Sequence, residues 1–136
     1  MTLSQRITDL AQALAQELKA RTTSDHRGVA RAWVNFSGIG AAVGMTVAPT
    51  MLASCNIAGV ERLARGKYRV IFGTAMVDSN YCWQGQATHD KWWSGSKSET
   101  SRLQLVVKTP LYIQLNCRNA IGLPVDAREL NLTVWR

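Results

Sequence analysis

The chain has 136 residues, of which 46% are hydrophobic, which suits one domain with a buried core and argues against a disordered chain. Sixteen lysines and arginines against nine aspartates and glutamates give a formal net charge of +7, which favours acidic partners. No apolar run approaches the ~20 residues that span a bilayer, and charged residues interrupt the N-terminal segment, unlike the apolar centre of a signal peptide. We therefore expect a protein without membrane insertion that is made and folded in a cytoplasm.

The N-terminal segment, residues 1–20, carries one stripe of apolar side chains, spaced by 4, 3, 4 and 4 residues: Leu3, Ile7, Leu10, Leu14 and Leu18. Such spacing keeps side chains on one face of a helix, and no glycine or proline interrupts it. Because an isolated helix of this length is marginally stable in water, we predict a helix whose stripe is covered by its own domain or by copies of itself. Glu17 and the last step of four break a coiled-coil heptad, so both alternatives stay open.

The polar segment 21–28 ends in a glycine and is predicted to be a hinge. After it, apolar residues alternate with period two, which is typical of half-buried antiparallel strands. Two strands show their apolar face most clearly, with Tyr68, Val70 and Phe72 on one and Leu103, Leu105 and Val107 on the other. We predict seven strands: 29–37, 53–60, 67–74, 81–88, 101–108, 111–117 and 128–135. This order predicts a mainly β protein, an antiparallel β-sandwich head over 29–136 preceded by an α-helix.

Apart from Glu129 near one end, the opposite faces of three predicted strands hold neutral polar residues and large aromatic residues, including Trp33, Tyr112 and Trp135. A freely solvated face usually carries lysine and glutamate. Neutral polar groups with tryptophan and tyrosine are more typical of a contact between subunits. We therefore predict that these three residues, with the helix stripe, form an interface between copies. The other interpretation is a second layer of the same core.

Several short motifs follow one another in a fixed order over residues 30–81. They comprise Ala32, Trp33, Val34, Asn35 and Phe36; Gly38 and Gly40; Ser54, Asn56 and Ile57; Gly66, Tyr68, Val70 and Phe72; and Met76, Asp78, Asn80 and Tyr81. This series resembles the opening of a head domain of tail-fibre and receptor-binding proteins of tailed bacteriophages. The last segment, 126–136, is similar to the final strand of that domain.

The resemblance implies a homotrimeric β-sandwich at the tip of a tail fibre, located in the virion tail, with a helical connector before it. The helix would then trimerise or dock onto other virion tail or baseplate proteins. Trp33 and Phe36 would open the first strand of the head, and Gly38 and Gly40 would let the chain turn where a Cβ would hinder it. Because such proteins include adsorption fibres and structural parts of baseplates, the resemblance implies either receptor attachment or a structural adaptor.

A hydrophilic segment at 88–100 contains two adjacent tryptophans and is predicted to be a loop between strands. Aromatic faces can stack on sugar rings, and neighbouring polar side chains can bond hydroxyl groups. Loops on a rigid scaffold commonly carry binding residues. We therefore predict a host-surface glycan site formed by Trp92, Trp93, His89, Asp90 and Lys91. The other interpretation is that one tryptophan plugs a subunit interface or a sheet edge.

The sequence offers no pattern typical of catalysis or of metal binding. His26 and His89 are too few for a metal site, and no paired carboxylates, nucleophile elbow or phosphate-cradling loop accompanies them. The odd number and wide spacing of Cys55, Cys82 and Cys117 predict reduced thiols. The basic residues cluster only at 62–69, without a basic helix or an RNA-binding motif. We expect a non-enzymatic protein without cofactor or metal, and no nucleic-acid partner.

Overall fold

The computed structural model describes residues 1–21, 28–40, 50–90 and 98–136 of the chain. The N-terminal helix is confirmed as α1, Leu3–Arg21. It begins with a reciprocal cap, because the Gln5 backbone N–H donates to Thr2 Oγ1 at 3.3 Å and the Thr2 N donates to Gln5 Oε1 at 2.9 Å. Every helix residue from Leu3 to Ala20 is exposed, so the described part of the chain does not cover the leucine stripe. Most of the predicted hinge at 21–28 lies outside the described residues.

The described residues of the head form eight strands where seven were predicted. They are β1 (Ala30–Ser37), β2 (Thr50–Cys55), β3 (Ile57–Ala64), β4 (Lys67–Phe72), β5 (Cys82–Asp90), β6 (Ser98–Lys108), β7 (Tyr112–Arg118) and β8 (Glu129–Trp135). The single strand predicted at 53–60 is wrong, because Asn56 separates β2 from β3 with a left-handed φ of 54°. The Asn56 side chain fixes this corner by donating to the carbonyl of Arg31 at 3.1 Å and accepting from the Thr74 N–H.

All strand pairs are antiparallel, in the order β2-β1-β8-β5-β6-β7-β4-β3. We call β2, β1, β8, β5 and β6 the first sheet and β6, β7, β4 and β3 the second sheet, with β6 belonging to both. The sheet curls into a nearly closed, barrel-like sandwich, which confirms the predicted fold class of an antiparallel β-sandwich after one helix. The first strand β1 pairs with the last strand β8, so the two ends of the head lie together in the first sheet.

The core consists of the inward-facing residues of both sheets, as the period-two pattern predicted. Tyr68, Val70 and Phe72 of β4 are buried, and so are the alternate residues of β1, β7 and β8. Edge-to-face aromatic pairs add to this core, with Phe36 5.3 Å from Tyr68 and Phe72 5.6 Å from Tyr81 between ring centroids. The apolar area that these side chains remove from water is the main term stabilising the sandwich.

The apolar face predicted for β6 is wrong at Val107, whereas Leu103 and Leu105 share a face as predicted. The register of β6 against β7 shifts between Leu105 and Val107, so Leu105 lies opposite Leu115 whereas Val107 lies opposite Gln114. A bulge of this kind inserts one extra residue and breaks the two-residue alternation. Leu105 and Val107 therefore do not share a face, and both are exposed.

A polar cluster closes one part of the sandwich around the carboxylate of Asp126. Arg62 donates two hydrogen bonds to it, at 3.0 and 2.8 Å, and the Gly66 N–H and the Tyr68 hydroxyl each donate one at 3.0 Å. The same hydroxyl accepts the N–H of Ala127 at 3.0 Å. The cluster thus joins β3, β4 and the segment that leads into β8.

Gly38 lies against this cluster at the end of β1. A Cβ at this position would collide with the Tyr68 hydroxyl, and the Gly38 N–H donates to the carbonyl of Ala127 at 2.8 Å. Gly40 has a φ of +79°, which favours glycine. Gly38 therefore allows close packing against Tyr68, and Gly40 allows the chain to turn.

Candidate functional site

The predicted glycan-binding segment lies at the end of the β5–β6 hairpin. β5 continues to Asp90 and β6 begins at Ser98, and these two residues lie opposite each other. The loop predicted at 88–100 is therefore shorter, because the strands pair further than the polar composition suggested. Thr88, His89 and Asp90 lie in β5, whereas Trp92, Trp93 and Lys91 lie outside the described residues.

His89 occupies an inward-facing position of β5 and is only 7% exposed. Its Nδ1 lies 2.8 Å from Ser101 Oγ, and its Nε2 lies 3.7 Å from a carboxylate oxygen of Glu99. Both partners belong to β6, so these contacts join the two strands of the hairpin. This burial leaves little of His89 for a sugar hydroxyl to reach.

Ser101 also approaches Cys117 of β7. Burial raises the pKa of the Cys117 thiol, against the smaller opposing effect of its hydrogen bond with Ser101, so the thiol stays protonated. Ser101 is 6% exposed, too buried for a substrate to reach its hydroxyl. Within the described ranges no three histidine, cysteine or acidic residues lie close enough to hold a metal ion. The His89–Ser101 contact could not be predicted from the sequence. The two residues are twelve positions apart, and the register of a hairpin must be known before one can say which of its residues face each other.

Asp90 remains at the surface. Its carboxylate accepts a hydrogen bond from Arg128 at 2.8 Å, and both side chains are more than half exposed. An exposed ion pair of this kind contributes little to stability. Among the predicted glycan-site residues that the structure describes, Asp90 is exposed enough to contact a ligand, whereas His89 is not.

The predicted interface residues fall on three separate surfaces. The five stripe residues of α1 are 55–75% exposed. Trp33, which is 39% exposed, and Trp135 lie on the outer face of the first sheet, where Trp33 pairs with Thr133 two residues from Trp135. Tyr112 lies on the outer face of the second sheet, with its ring 4.7 Å from the Arg69 guanidinium. One flat contact therefore cannot contain all three aromatic residues of a single chain.

The outer face of the first sheet is neutral around its two tryptophans. Cys55, Trp33, Thr133 and Gln84 form one row across β2, β1, β8 and β5. In the adjacent row Trp135 lies opposite Cys82. These two rows combine aromatic, thiol, hydroxyl and amide groups, the composition typical of a protein contact, and the nearby charges are Arg31 on β1 and Glu129 at the start of β8.

A cleft of about 330 Å³ lies near the Asn56 corner, with Arg31, Met76, Val77 and Arg136 among its lining residues. Arg136 is held there by a 2.8 Å ion pair with Asp78. The predicted glycan-site and interface residues do not line this cleft.

Comparison of the chain with models of protein families, with curated proteins and with solved structures finds no match. Among the described residues, α1 is too polar to cross a membrane as a helix.

Proposed function

We propose that the protein is a homotrimeric tail-fibre subunit of a bacteriophage, located in the virion tail, that attaches without covalent chemistry to a glycan of the host surface. The observation that carries this proposal is the β5–β6 hairpin, whose strand ends Asp90 and Ser98 pair and whose connecting sequence holds Trp92 and Trp93. The paired strands and the buried His89–Ser101 contact give the connection a rigid base. The ordered motifs over 30–81 support the assignment to a tail fibre.

A glycan site on this hairpin would make a weak contact, and each copy of the chain in a trimer would repeat it. Stacking on an aromatic platform contributes about 1–3 kcal/mol per ring, by analogy with bases on aromatic side chains. One such contact gives low affinity. Three heads on one fibre would bind far more tightly, since the second and third contacts become intramolecular.

A glycan array tests the proposal with the full chain and two double variants. Trp92→Ala with Trp93→Ala is expected to abolish binding, because the stacking surfaces are removed. Trp92→Phe with Trp93→Phe is the matched control, which retains aromatic faces and is expected to retain part of the binding. Undiminished binding by the alanine variant, with unchanged circular dichroism, would contradict a role of this hairpin in attachment.

A structural adaptor of a tail fibre or baseplate, which binds only other virion proteins, is the second candidate. The exposed leucine stripe of α1 favours it, because an apolar helix face that the described residues leave exposed suits a contact with another protein. Virions that fail to assemble without this protein, together with no signal on the glycan array, would support the adaptor.

A further inference from the structure

The outer face of the second sheet carries four basic side chains on three neighbouring strands. Lys67 and Arg69 lie on β4, Arg118 on β7 and Arg102 on β6. They face outward because the residues that alternate with them along β4 and β7 are buried. We call these four residues the basic face.

Two of these charges oppose each other directly. Arg102 and Arg118 are register partners in the β6–β7 pair, and like charges in this arrangement destabilise a sheet. Lys67 lies opposite Asn116, two residues from Arg118, and adds to the repulsion. Neither Lys67 nor either of these arginines forms an ion pair with an acidic side chain of the described residues. The basic face therefore holds positive charge that the described part of the chain leaves unneutralised.

The two half-buried arginines hold their guanidinium groups in fixed positions on this face. Within the described ranges, the Nε atoms of Arg69 and Arg118 are buried without a hydrogen-bond partner. Other contacts fix both side chains, since Arg69 Nη1 donates to Glu61 at 3.3 Å and Arg118 Nη1 donates to the carbonyl of Gly122 at 2.7 Å. Guanidinium groups that are already oriented lose less entropy when they bind a carboxylate or phosphate.

We infer that the basic face binds an acidic polysaccharide of the host surface. Copies of this face repel one another, so it does not suit a contact between subunits, unlike the neutral outer face of the first sheet. An anionic polymer would neutralise the opposed charges of Arg102 and Arg118. This inference deepens the proposed attachment function, and it rests on that function for the choice of a glycan among polyanions.

The neutral residues between the charges favour a glycan over a nucleic acid. Gln104, Gln114 and Asn116 surround the cations on β6 and β7, and their amides can bond sugar hydroxyl groups. Single-stranded nucleic acids need exposed aromatic rings for base stacking. Tyr112 is the aromatic residue described on this face. The Arg69 guanidinium already covers one side of its ring, so that side is not open to a stacked base.

Calorimetric titration of the full chain with polygalacturonate, neutral dextran and single-stranded DNA tests the inference. We expect binding to polygalacturonate and none to dextran. Arg102→Gln with Arg118→Gln should weaken the binding about tenfold or more, since it removes two charge-assisted contacts. Arg6→Gln with Lys19→Gln on α1 is the matched control, because both pairs lower the formal net charge from +7 to +5. The control should change the affinity less than about twofold.

Thermal unfolding separates lost binding from lost folding. Relief of the repulsion between the two opposed charges should offset the loss of the hydrogen bond from Arg118 to Gly122, so the melting temperature should change little. A second variant, Lys67→Gln with Arg102→Gln, changes exposed side chains only and should also weaken polygalacturonate binding. Equal weakening by the control pair, DNA binding as tight as polygalacturonate binding, or no polygalacturonate binding would each overturn the inference.

The two proposals fail in different ways. If the basic-face variants bind the array glycans like the parent while the Trp92→Ala, Trp93→Ala variant does not, the inference falls and the attachment function stands. If polygalacturonate binding depends on the basic face but no array glycan binds, the attachment function falls and the basic face remains a polyanion site.

Discussion

At the scale of single residues, the carboxylate of Asp126 joins segments of the head that are far apart in sequence. Burial opposes its ionisation, but the hydrogen bonds from Arg62, the Gly66 N–H and the Tyr68 hydroxyl outweigh this effect and lower the pKa of Asp126 below its usual value. Burial raises the pKa of Tyr68 far above its usual value, so this hydroxyl remains a donor at any physiological pH. The arrangement therefore depends on a charged aspartate and a neutral tyrosine.

Asp126→Asn should destabilise the head by about 2–3 kcal/mol, because it leaves the Arg62 charge only 13% exposed and without its partner. Urea unfolding measures this loss. Asp78→Asn is the control, since its ion pair with Arg136 is exposed and should contribute less than about 0.5 kcal/mol. Equal midpoints for the two variants would contradict a structural role for the Asp126 cluster.

The lowered pKa of Asp126 also predicts a pH dependence. A carboxyl group whose pKa is lower in the folded state stabilises the fold above its unfolded pKa, and this stabilisation disappears as the pH falls through the folded pKa. The parent chain should therefore lose stability below about pH 4. Asp126→Asn should lose less over the same range, as measured by the midpoint of urea unfolding. If the parent chain and Asp126→Asn lose the same amount of stability in acid, the pH dependence cannot be assigned to Asp126.

Gly38→Ala should destabilise the head by about 2 kcal/mol or more, because the new methyl group displaces the Tyr68 hydroxyl from Asp126 and Ala127. Gly59→Ala is the matched control, since open space surrounds Gly59 on β3. Thermal unfolding compares the two variants. Similar melting temperatures would show that the contact between Gly38 and Tyr68 tolerates an extra carbon.

The alternation of apolar and polar residues in the sequence predicted the buried core well, but it did not predict the polar contacts between residues far apart in the chain. Tyr68, Val70 and Phe72 could be assigned to the core because a strand with one buried face must alternate. Arg62 and Asp126 are 64 residues apart, and nothing local marks them as partners. The sequence placed His89 in a loop because its neighbours are polar, as loop residues commonly are. The structure places it near the end of β5 with its side chain facing inward.

At the scale of elements, the helix and the strands differ in what covers them. The inward faces of the strands are buried within the chain, whereas the stripe of α1 is exposed along its whole length. The helix was predictable because both its spacing and its composition are local properties. The split at Asn56 and the bulge in β6 were not, because each depends on a single residue's backbone or on the partner strand.

Leu10→Asp with Leu14→Asp should reduce the mass of the particle, because burying unpaired carboxylates in a helical seam costs several kcal/mol. Gln12→Asp with Gln16→Asp is the matched control, as these residues lie on the opposite side of the helix and should leave the mass unchanged. Light scattering measures both. An unchanged mass for the leucine variant would assign the helix to docking onto another virion protein.

At the scale of the whole molecule, two exposed surfaces that carry large hydrophobic or aromatic side chains favour association. These are the stripe of α1 and the neutral outer face of the first sheet around Trp33 and Trp135. We expect a homotrimer of about 45 kDa, three times the 15.0 kDa chain, in light scattering at micromolar concentration. A mass near that of one chain would contradict both the trimer and the attachment model that relies on three heads.

The pairing of β1 with β8 has a consequence for biosynthesis. Strand β8, which follows the other described strands in sequence, occupies an interior position, between β1 and β5, and not an edge. Until residues 129–135 have left the ribosome, β1 and β5 each lack a neighbour, and the first sheet cannot close. Contacts across this much sequence slow folding and expose strand edges to other chains. The head should therefore close only once β8 has been synthesised, and until then the open edges of β1 and β5 can accept β8 from another copy of the chain.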